Sequence, residues 1–334
     1  MLQQNVSSLS TFLAILATAL LIDLAFGEPP DKVHPTAWMG KVIAFIKPRL
    51  KSKSPRIERL NGVLLGLLTI ALFTIPAYFM LFFVQQRFGL VAYIIVASLL
   101  LKTTFAIKCM ERFTRSIARA VERDDVEGAR RLLPYIVRRD PKKLNKQQII
   151  SAAVESIAEG TVDGVTSPLF YYALFGVPGA ISFRVINTLD SMVGYKDPEH
   201  MNVGWFSAKL DDLANYIPAR LTAFLMVIAA WLLGEDWKNS WRILRRDCHK
   251  TESPNAGWSM SAMAGALNVK LEKPGHYVLG DGDALSPKHI LRALKIMKLT
   301  VLLFVILVNV PLYTLITLTF SSTAEAGRFF LLLE

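Results

Sequence analysis

Apolar positions in this chain gather into long runs, and the polar segments between them carry an excess of basic residues. The runs 61–84, 88–107, 217–234 and 296–320 approach the roughly 20 residues that a helix needs to cross about 30 Å of hydrocarbon. Four nearly uncharged runs of that length are not the pattern of buried helices in a soluble enzyme. A fifth run, Leu9 to Phe26, has neither the basic flank nor the small-residue cleavage site of a secretion signal, so it predicts a retained first helix. A sixth, 169–186, is short and interrupted at Gly176, Pro178 and Gly179. The pattern predicts an all-α, polytopic integral membrane bundle forming one domain over 1–334. Its spans are 9–26, 61–84, 88–107, 169–186, 217–234 and 296–320, the second and third forming a hairpin across Gln85-Gln86-Arg87. The polar loops are 27–60, 108–168, 187–216 and 235–295.

Composition agrees with that class. Of 334 residues, 52% are hydrophobic and 19% charged, where a soluble domain has about 25% charged. The formal charge of +11 raises nucleic acid as a partner. Against it, no aromatic side chains interleave with the bases as stacking platforms. The bases instead flank the spans: Lys47, Arg49, Lys51, Lys53, Arg56 and Arg59 precede the second, and others run from Lys108 to Lys146 and from Lys238 to Lys295. Positive-inside topology accounts for them and places 27–60, 108–168 and 235–295 on the cytoplasmic side of a multi-pass protein of the cell membrane. Within the second of these loops, Arg112, Arg115, Arg119 and Arg123 recur around Phe113, Ile117 and Val121, predicting a surface helix over 111–135.

Segment 187–216 is the difficult one, holding only Lys196 and Lys209 as bases. A single crossing by 169–186 puts it outside. A re-entrant 169–186 keeps it inside or in a cavity, since broken backbone at membrane depth is tolerated where it lines protein or water. Cys109 and Cys248 are widely separated and propose neither a disulfide nor a zinc site.

The most pointed local pattern is VESIAEGTVDGVTSP, in which Glu155, Glu159 and Asp163 are four apart and share one face of a helix. Three carboxylates on one face repel, so Mg²⁺, a base from another element or bulk solvent must compensate. A few carboxylate oxygens with water and phosphate suit Mg²⁺. Beyond them, Arg184, Asn187, Asp190 and Ser191 recur with helical spacing at the end of the broken run. Arg184 there either binds phosphate or neutralises Asp190, because charge beside hydrocarbon needs a partner. Lys196, Lys209, Asp211, Asp212, Asn215 and Arg220 form a mixed set compatible with a phosphorylated ligand, while snorkelling is a second explanation for Arg220. Asp23, at the edge of the first span, is a functional candidate on the same cost argument. His34 sits in a proline-rich turn without a nearby Cys or His and reads as structural or orienting. Asn255 is placed to cap a helix whose Gly257, Ser261 and Gly265 form a small-residue stripe suited to close packing. The turn from Gly275 to Gly282 matches neither phosphate-loop pattern.

Taken in order, DLxxGxPPxxxHP, the E-x3-E-x3-D stripe with SPLFYxxxxGxPGA, RxxNTLDSMxGY, DDxANxxPAR and NAGxxMxxMAGAL resemble the adenosylcobinamide-phosphate synthases of cobalamin biosynthesis, over about residues 19–282. The resemblance implies a membrane enzyme that joins adenosylcobyric acid to an amino-alcohol phosphate, either aminopropanol O-phosphate or ethanolamine phosphate. It implies ATP and Mg²⁺, with the carboxylate activated as an acyl phosphate before the amine attacks. Carried to these positions, it puts Mg²⁺ with Glu155, Glu159 and Asp163, and anionic groups near Arg184, Asn187, Lys196, Lys209, Asn215 and Arg220. Asp190, Asp211, Asp212 and Asp23 are the candidate bases or second metal contacts. Without a phosphate loop, ATP needs a nonstandard cradle from the cytoplasmic loops and the Gly275–Gly282 turn. The partners implied are the two substrates, the bilayer, and further copies of the chain or other corrinoid-pathway enzymes. A carrier of an anionic or corrinoid substrate is the alternative, since broken helices with buried charge also occur in transporters.

Overall fold

The computed structural model describes residues 2–321 apart from 138, 139 and 283, with side chains over 8–319. The side chain of Phe320, at the end of the predicted 296–320 span, lies outside the described residues. The helices are α1 (Leu2–Phe26), α2 (Pro35–Ile46), α3 (Pro55–Lys102), α4 (Ile107–Glu122), α5 (Val126–Leu132), α6 (Lys146–Thr161), α7 (Ser167–Val193), α8 (Trp205–Ala214), α9 (Tyr216–Leu232), α10 (Trp237–Asp247), α11 (Ala256–Leu267), α12 (Pro287–Phe304) and α13 (Val310–Ser321). A short antiparallel pair, β1 (Leu271–Lys273) and β2 (Tyr277–Leu279), adds the strands that the all-α pattern left out. The chain is helical, and among the described residues four stretches are long and apolar enough to cross a membrane: Ser8–Phe26, Pro55–Glu122, Lys146–Val193 and Pro287–Thr319. The predicted 217–234 run is α9, which passes that test only when joined to α8 as a fifth span.

Two of these stretches turn back on themselves. In α3 the break is at Gly89 (φ 77°, ψ −177°), a conformation open to glycine and strained for other residues. On the near arm, Thr74 Oγ1 lies 2.9 Å from Ser182 Oγ; past the far arm, the Thr104 carbonyl accepts Arg184 Nε–H at 2.7 Å. Positions 74 and 104 thus meet close neighbours on α7, so the arms run side by side. The reversal falls just after the Gln85-Gln86-Arg87 link expected from sequence, because the positive φ needs Gly89. In α7 the break is at Phe175 and Gly176 (φ 64°, ψ −160°). Tyr171 stacks on Phe183 with centroids 5.4 Å apart, whereas an unbroken helix would separate them by about 18 Å. The arms cross closely: a Cβ on Gly179 would lie 2.5 Å from the Tyr171 carbonyl oxygen.

Segment 169–186 therefore folds back on itself, and the chain beyond it returns to the end of the bundle that carries the 27–60 loop. Lys47 Nζ is 3.0 Å from Glu199 Oε1, and Arg59 Nε donates to Asn202 Oδ1 at 3.2 Å. A cysteine at Lys196 is expected to react with an impermeant maleimide only after the cytoplasmic face is opened. Labelling in intact cells would put 187–216 on the other side.

The described chain packs as two compact units. The first draws on Met1–Ala106, Ser167–Ala214 and Leu307–Glu334. Its core sets Phe12 between Tyr172 and Tyr313, with ring centroids at 4.7 and 4.1 Å, over buried Leu65, Leu101 and Phe183. Leu64, Leu68, Leu72, Phe79 and Phe83 of α3 face outward, as helix surfaces do against lipid rather than water. The second unit, Ile107–Thr166 with Asn215–Ile306, surrounds Ile117, Ile149, Met263 and Phe304. The surface helix expected over 111–135 is two helices, α4 and α5, because Asp125 caps α5 by accepting from Gly128 N at 2.7 Å. Ile117 and Val121 are buried and Arg112, Arg115 and Arg119 are not. The small-residue stripe lies where α11 meets α10: a Cβ would stand 2.2 Å from the Cys248 carbonyl at Gly257 and 2.6 Å from the Asn239 carbonyl at Gly265.

Candidate functional site

In the first unit, charge collects where α1 ends. Asp23 is fully buried, and Lys102, 3% exposed at the end of α3, brings Nζ to 3.1 Å from Asp23 Oδ1 and 2.7 Å from Glu28 Oε1. Glu28 Oε2 lies 2.6 Å from His34 Nε2, and His34 Nδ1 accepts from Thr36 N at 3.1 Å, capping α2. With Nδ1 used as an acceptor, the ring proton belongs on Nε2 and is donated to Glu28, so His34 is neutral and orienting. Burial raises the proton affinity of Glu28, but the His34 hydrogen bond and Lys102 outweigh it and hold the carboxyl below its ordinary value. Glu28 and Lys102 were not singled out from sequence. Lys102 sits inside the 88–107 run, and a lone ammonium in an apolar stretch was the signal for it.

The turn after Lys102 links this anionic group to the RxxN stretch. The Thr103 carbonyl accepts from Thr36 Oγ1 at 3.5 Å. Arg184 places both Nε and Nη2 on the Thr104 carbonyl and donates from Nη1 to Asn187 Oδ1 at 3.2 Å. Asn187 Nδ2 then donates to Asp211 Oδ1 at 3.3 Å. Asp23, His34, Arg184, Asn187 and Asp211 are thereby joined through ion pairs, hydrogen bonds and the backbone, with Lys102, Glu28 and the Lys102-Thr103-Thr104 turn as the links. Asp190 folds its carboxylate over Gly194, where a Cβ would lie 2.0 Å from Oδ1. Asp212, next to Asp211 on α8, has Lys209 Nζ at 3.8 Å, and Lys196 is exposed just beyond α7.

In the second unit, the carboxylate stripe does not keep its four-residue register. α6 ends at Thr161 and a single π-helical turn, Val162–Thr166, carries Asp163; such turns often mark functional positions. Glu155 is 5% exposed and takes two hydroxyls, Ser151 Oγ–H on Oε1 at 2.6 Å and Tyr277 O–H on Oε2 at 2.8 Å. Glu159 is exposed and Asp163 partly so. Among the described residues, no group of three or more His, Cys, Asp or Glu is arranged to hold a metal ion. That geometry differs from a three-carboxylate cage on one helix face, because Glu155 turns inward to Ser151 and Tyr277. Magnesium commonly uses one or two carboxylates with water and substrate phosphate, and Glu159 and Asp163 keep more solvent access than Glu155.

Arg220 is held by aromatic faces. Its guanidinium lies 3.4 Å from the Tyr216 ring centroid and 4.6 Å from that of Trp258, and Nη1 donates to Asn255 Oδ1 at 3.1 Å. Asn255 occupies the cap position of α11 without capping it through its side chain, which is turned to Arg220 instead. Ser253 Oγ takes over, accepting from Asn255 N and Ala256 N. Asn215 is buried at the start of α9 and also makes no side-chain cap.

A family model described as CobD/Cbib protein matches residues 16–297. A protein of Methanothermobacter thermautotrophicus described as "Probable cobalamin biosynthesis protein CobD" is 44% identical over 292 residues, 87% of this chain and 95% of its own length. "Cobalamin biosynthesis protein CobD" of Dehalococcoides mccartyi is 43% identical over 269 residues, 80% of this chain and 87% of its own. A Thermoplasma volcanium relative with the same description as the first is 39% identical over 302 residues, covering 90% and 97%. No solved structure matches the chain.

Proposed function

The chain belongs to the CobD/Cbib family of cobalamin biosynthesis proteins, and from that membership we propose that it forms an amide between adenosylcobyric acid and an amino-alcohol phosphate, giving adenosylcobinamide phosphate. The observation that carries this reading is the two-pole network of the first unit. Asp23 and Glu28 make an anionic pole, Arg184 a cationic one, and the Lys102-Thr103-Thr104 turn joins them. An amino-alcohol phosphate bears an ammonium at one end and a phosphate at the other, and so complements both poles.

The residues divide the work accordingly. Arg184, oriented by the Thr104 carbonyl and by Asn187, takes the phosphate. With His34 neutral, two carboxylates face one Lys102 ammonium, so the pole carries one negative charge in excess and accommodates the substrate ammonium. The ammonium must lose a proton before it attacks, and a carboxylate of that pole is the acceptor. Low solvent access strengthens both contacts and excludes water as a competing nucleophile. Glu159 and Asp163 would hold Mg²⁺, and ATP with that ion would activate the propionate by phosphorylation with release of ADP, so that attack by the amine would expel phosphate. Glu159→Gln is accordingly expected to shift the Mg²⁺ requirement to higher concentration and lower turnover, with the protein still extractable and folded. Unchanged kinetics across a metal titration would remove Glu159 from that role.

The deciding experiment is purified protein in detergent with adenosylcobyric acid, both candidate phosphates, ATP and Mg²⁺, followed by mass analysis. Amide product dependent on all components supports the reading and reports which amine is used. Absence of product in detergent, with corrinoid uptake into sealed vesicles, would make the protein a carrier.

A further inference from the structure

The second unit carries an aromatic surface that the proposed chemistry does not use. On α9, Ile217, Phe224 and Trp231 recur every seven residues and are 55%, 52% and 59% exposed. α10 continues this surface. Its outward residues form two ridges of four-residue spacing, Trp237-Trp241-Arg245 and Lys238-Arg242-Arg246. Its opposite side, with Ser240, Ile243, Leu244 and Asp247, is buried. Trp241 meets Phe224 edge-on at 6.4 Å, which makes the aromatic surfaces of the two helices continuous. Lys238 Nζ stands 5.8 Å from the Trp237 ring centroid.

The charges around the tryptophans are unequal in their partners. Arg242 and Arg246 both reach Asp281, and Arg246 also pairs with Asp247 at 2.7 Å. Asp236, the nearest acid in sequence, accepts from Asn239 N at 2.9 Å as the cap of α10. Lys238 and Arg245 make no ion pair among the described residues. Two exposed indoles therefore stand beside two cations that no acid of this surface neutralises. Cores of protein interfaces are depleted in lysine. The boundary between acyl chains and headgroups selects this combination, tryptophan at the apolar edge with Lys or Arg on the phosphates.

We propose that the α9–α10 surface seats on anionic phospholipid, with Trp237 and Trp241 at the acyl boundary and Lys238 and Arg245 on headgroups of net negative charge. The proposal requires only that the chain resides in a bilayer and is independent of the amide-forming reading. It is tested with full-length protein in nanodiscs of phosphatidylcholine containing a minor fraction of phosphatidylglycerol, the acyl chains of one lipid at a time carrying bromine. Tryptophan emission should be quenched more by brominated phosphatidylglycerol than by an equal amount of brominated phosphatidylcholine. W237F/W241F should lose that difference, and K238Q/R245Q should weaken the preference roughly fivefold per cation removed, with thermal unfolding unchanged. Equal quenching by the two headgroups in the unaltered protein, or a preference that survives K238Q/R245Q, overturns the proposal. So does a W237A/W241A variant that converts a larger assembly to single copies with no change in lipid quenching, since the surface would then be a contact between proteins.

Discussion

Arg184→Ala is expected to raise the KM for the amino-alcohol phosphate by roughly 10- to 100-fold, the range for losing hydrogen bonds between a guanidinium and a phosphate. The argument is geometric. Nε and Nη2 share the Thr104 carbonyl and Nη1 reaches Asn187, so the planar fork is fixed before any ligand arrives. Arg184→Lys keeps the charge but cannot hold that carbonyl with two donors. It should recover only part of the loss. Steady-state kinetics with the phosphate varied and adenosylcobyric acid saturating give the comparison; an unaltered KM in both variants would take the phosphate away from Arg184. A change confined to kcat would instead place Arg184 at the activated carboxyl.

Lys102→Met should have the largest effect on the folded state. It leaves Asp23, fully buried, and Glu28, 17% exposed, without their ammonium. Breaking a buried pair by removing one member costs about 3–5 kcal/mol, most of it from the uncompensated charge that remains. The melting temperature in detergent should fall accordingly. Adding Asp23→Asn to Lys102→Met should restore part of the loss, since one of the stranded charges is then gone. A double variant no more stable than the single one would mean that the two residues do not act as a pair. Enzyme turnover should fall in both, because Lys102 no longer positions Glu28.

Much of this architecture was legible as pattern. The helical class follows from runs long enough to span a bilayer, and the glycines at 176 and 179 marked the place where α7 turns. What pattern did not fix was the direction of the turn: charge counting balanced two topologies for 187–216, and the fold-back that stacks Tyr171 on Phe183 agrees with the re-entrant one. For the site, the individual polar residues were visible because charge near hydrocarbon is costly. Their grouping was not, since the links run through Glu28, Lys102 and two backbone carbonyls, and carbonyls leave no trace in composition. The stripe of Glu155, Glu159 and Asp163 shows the opposite limit. Helical periodicity put the three on one face, but Tyr277, far along the chain, draws Glu155 inward, and a π-helical turn shifts Asp163.

The reversal at Gly176 also bears on how the polypeptide is made. Because both arms of that hairpin open toward the same end, the stretch holding Asp190, Lys196, Asp197, Glu199 and Asp211 would have no need to be threaded through lipid during biogenesis. A residue with a side chain at 176 would disfavour the fold-back, since the positive φ there suits glycine.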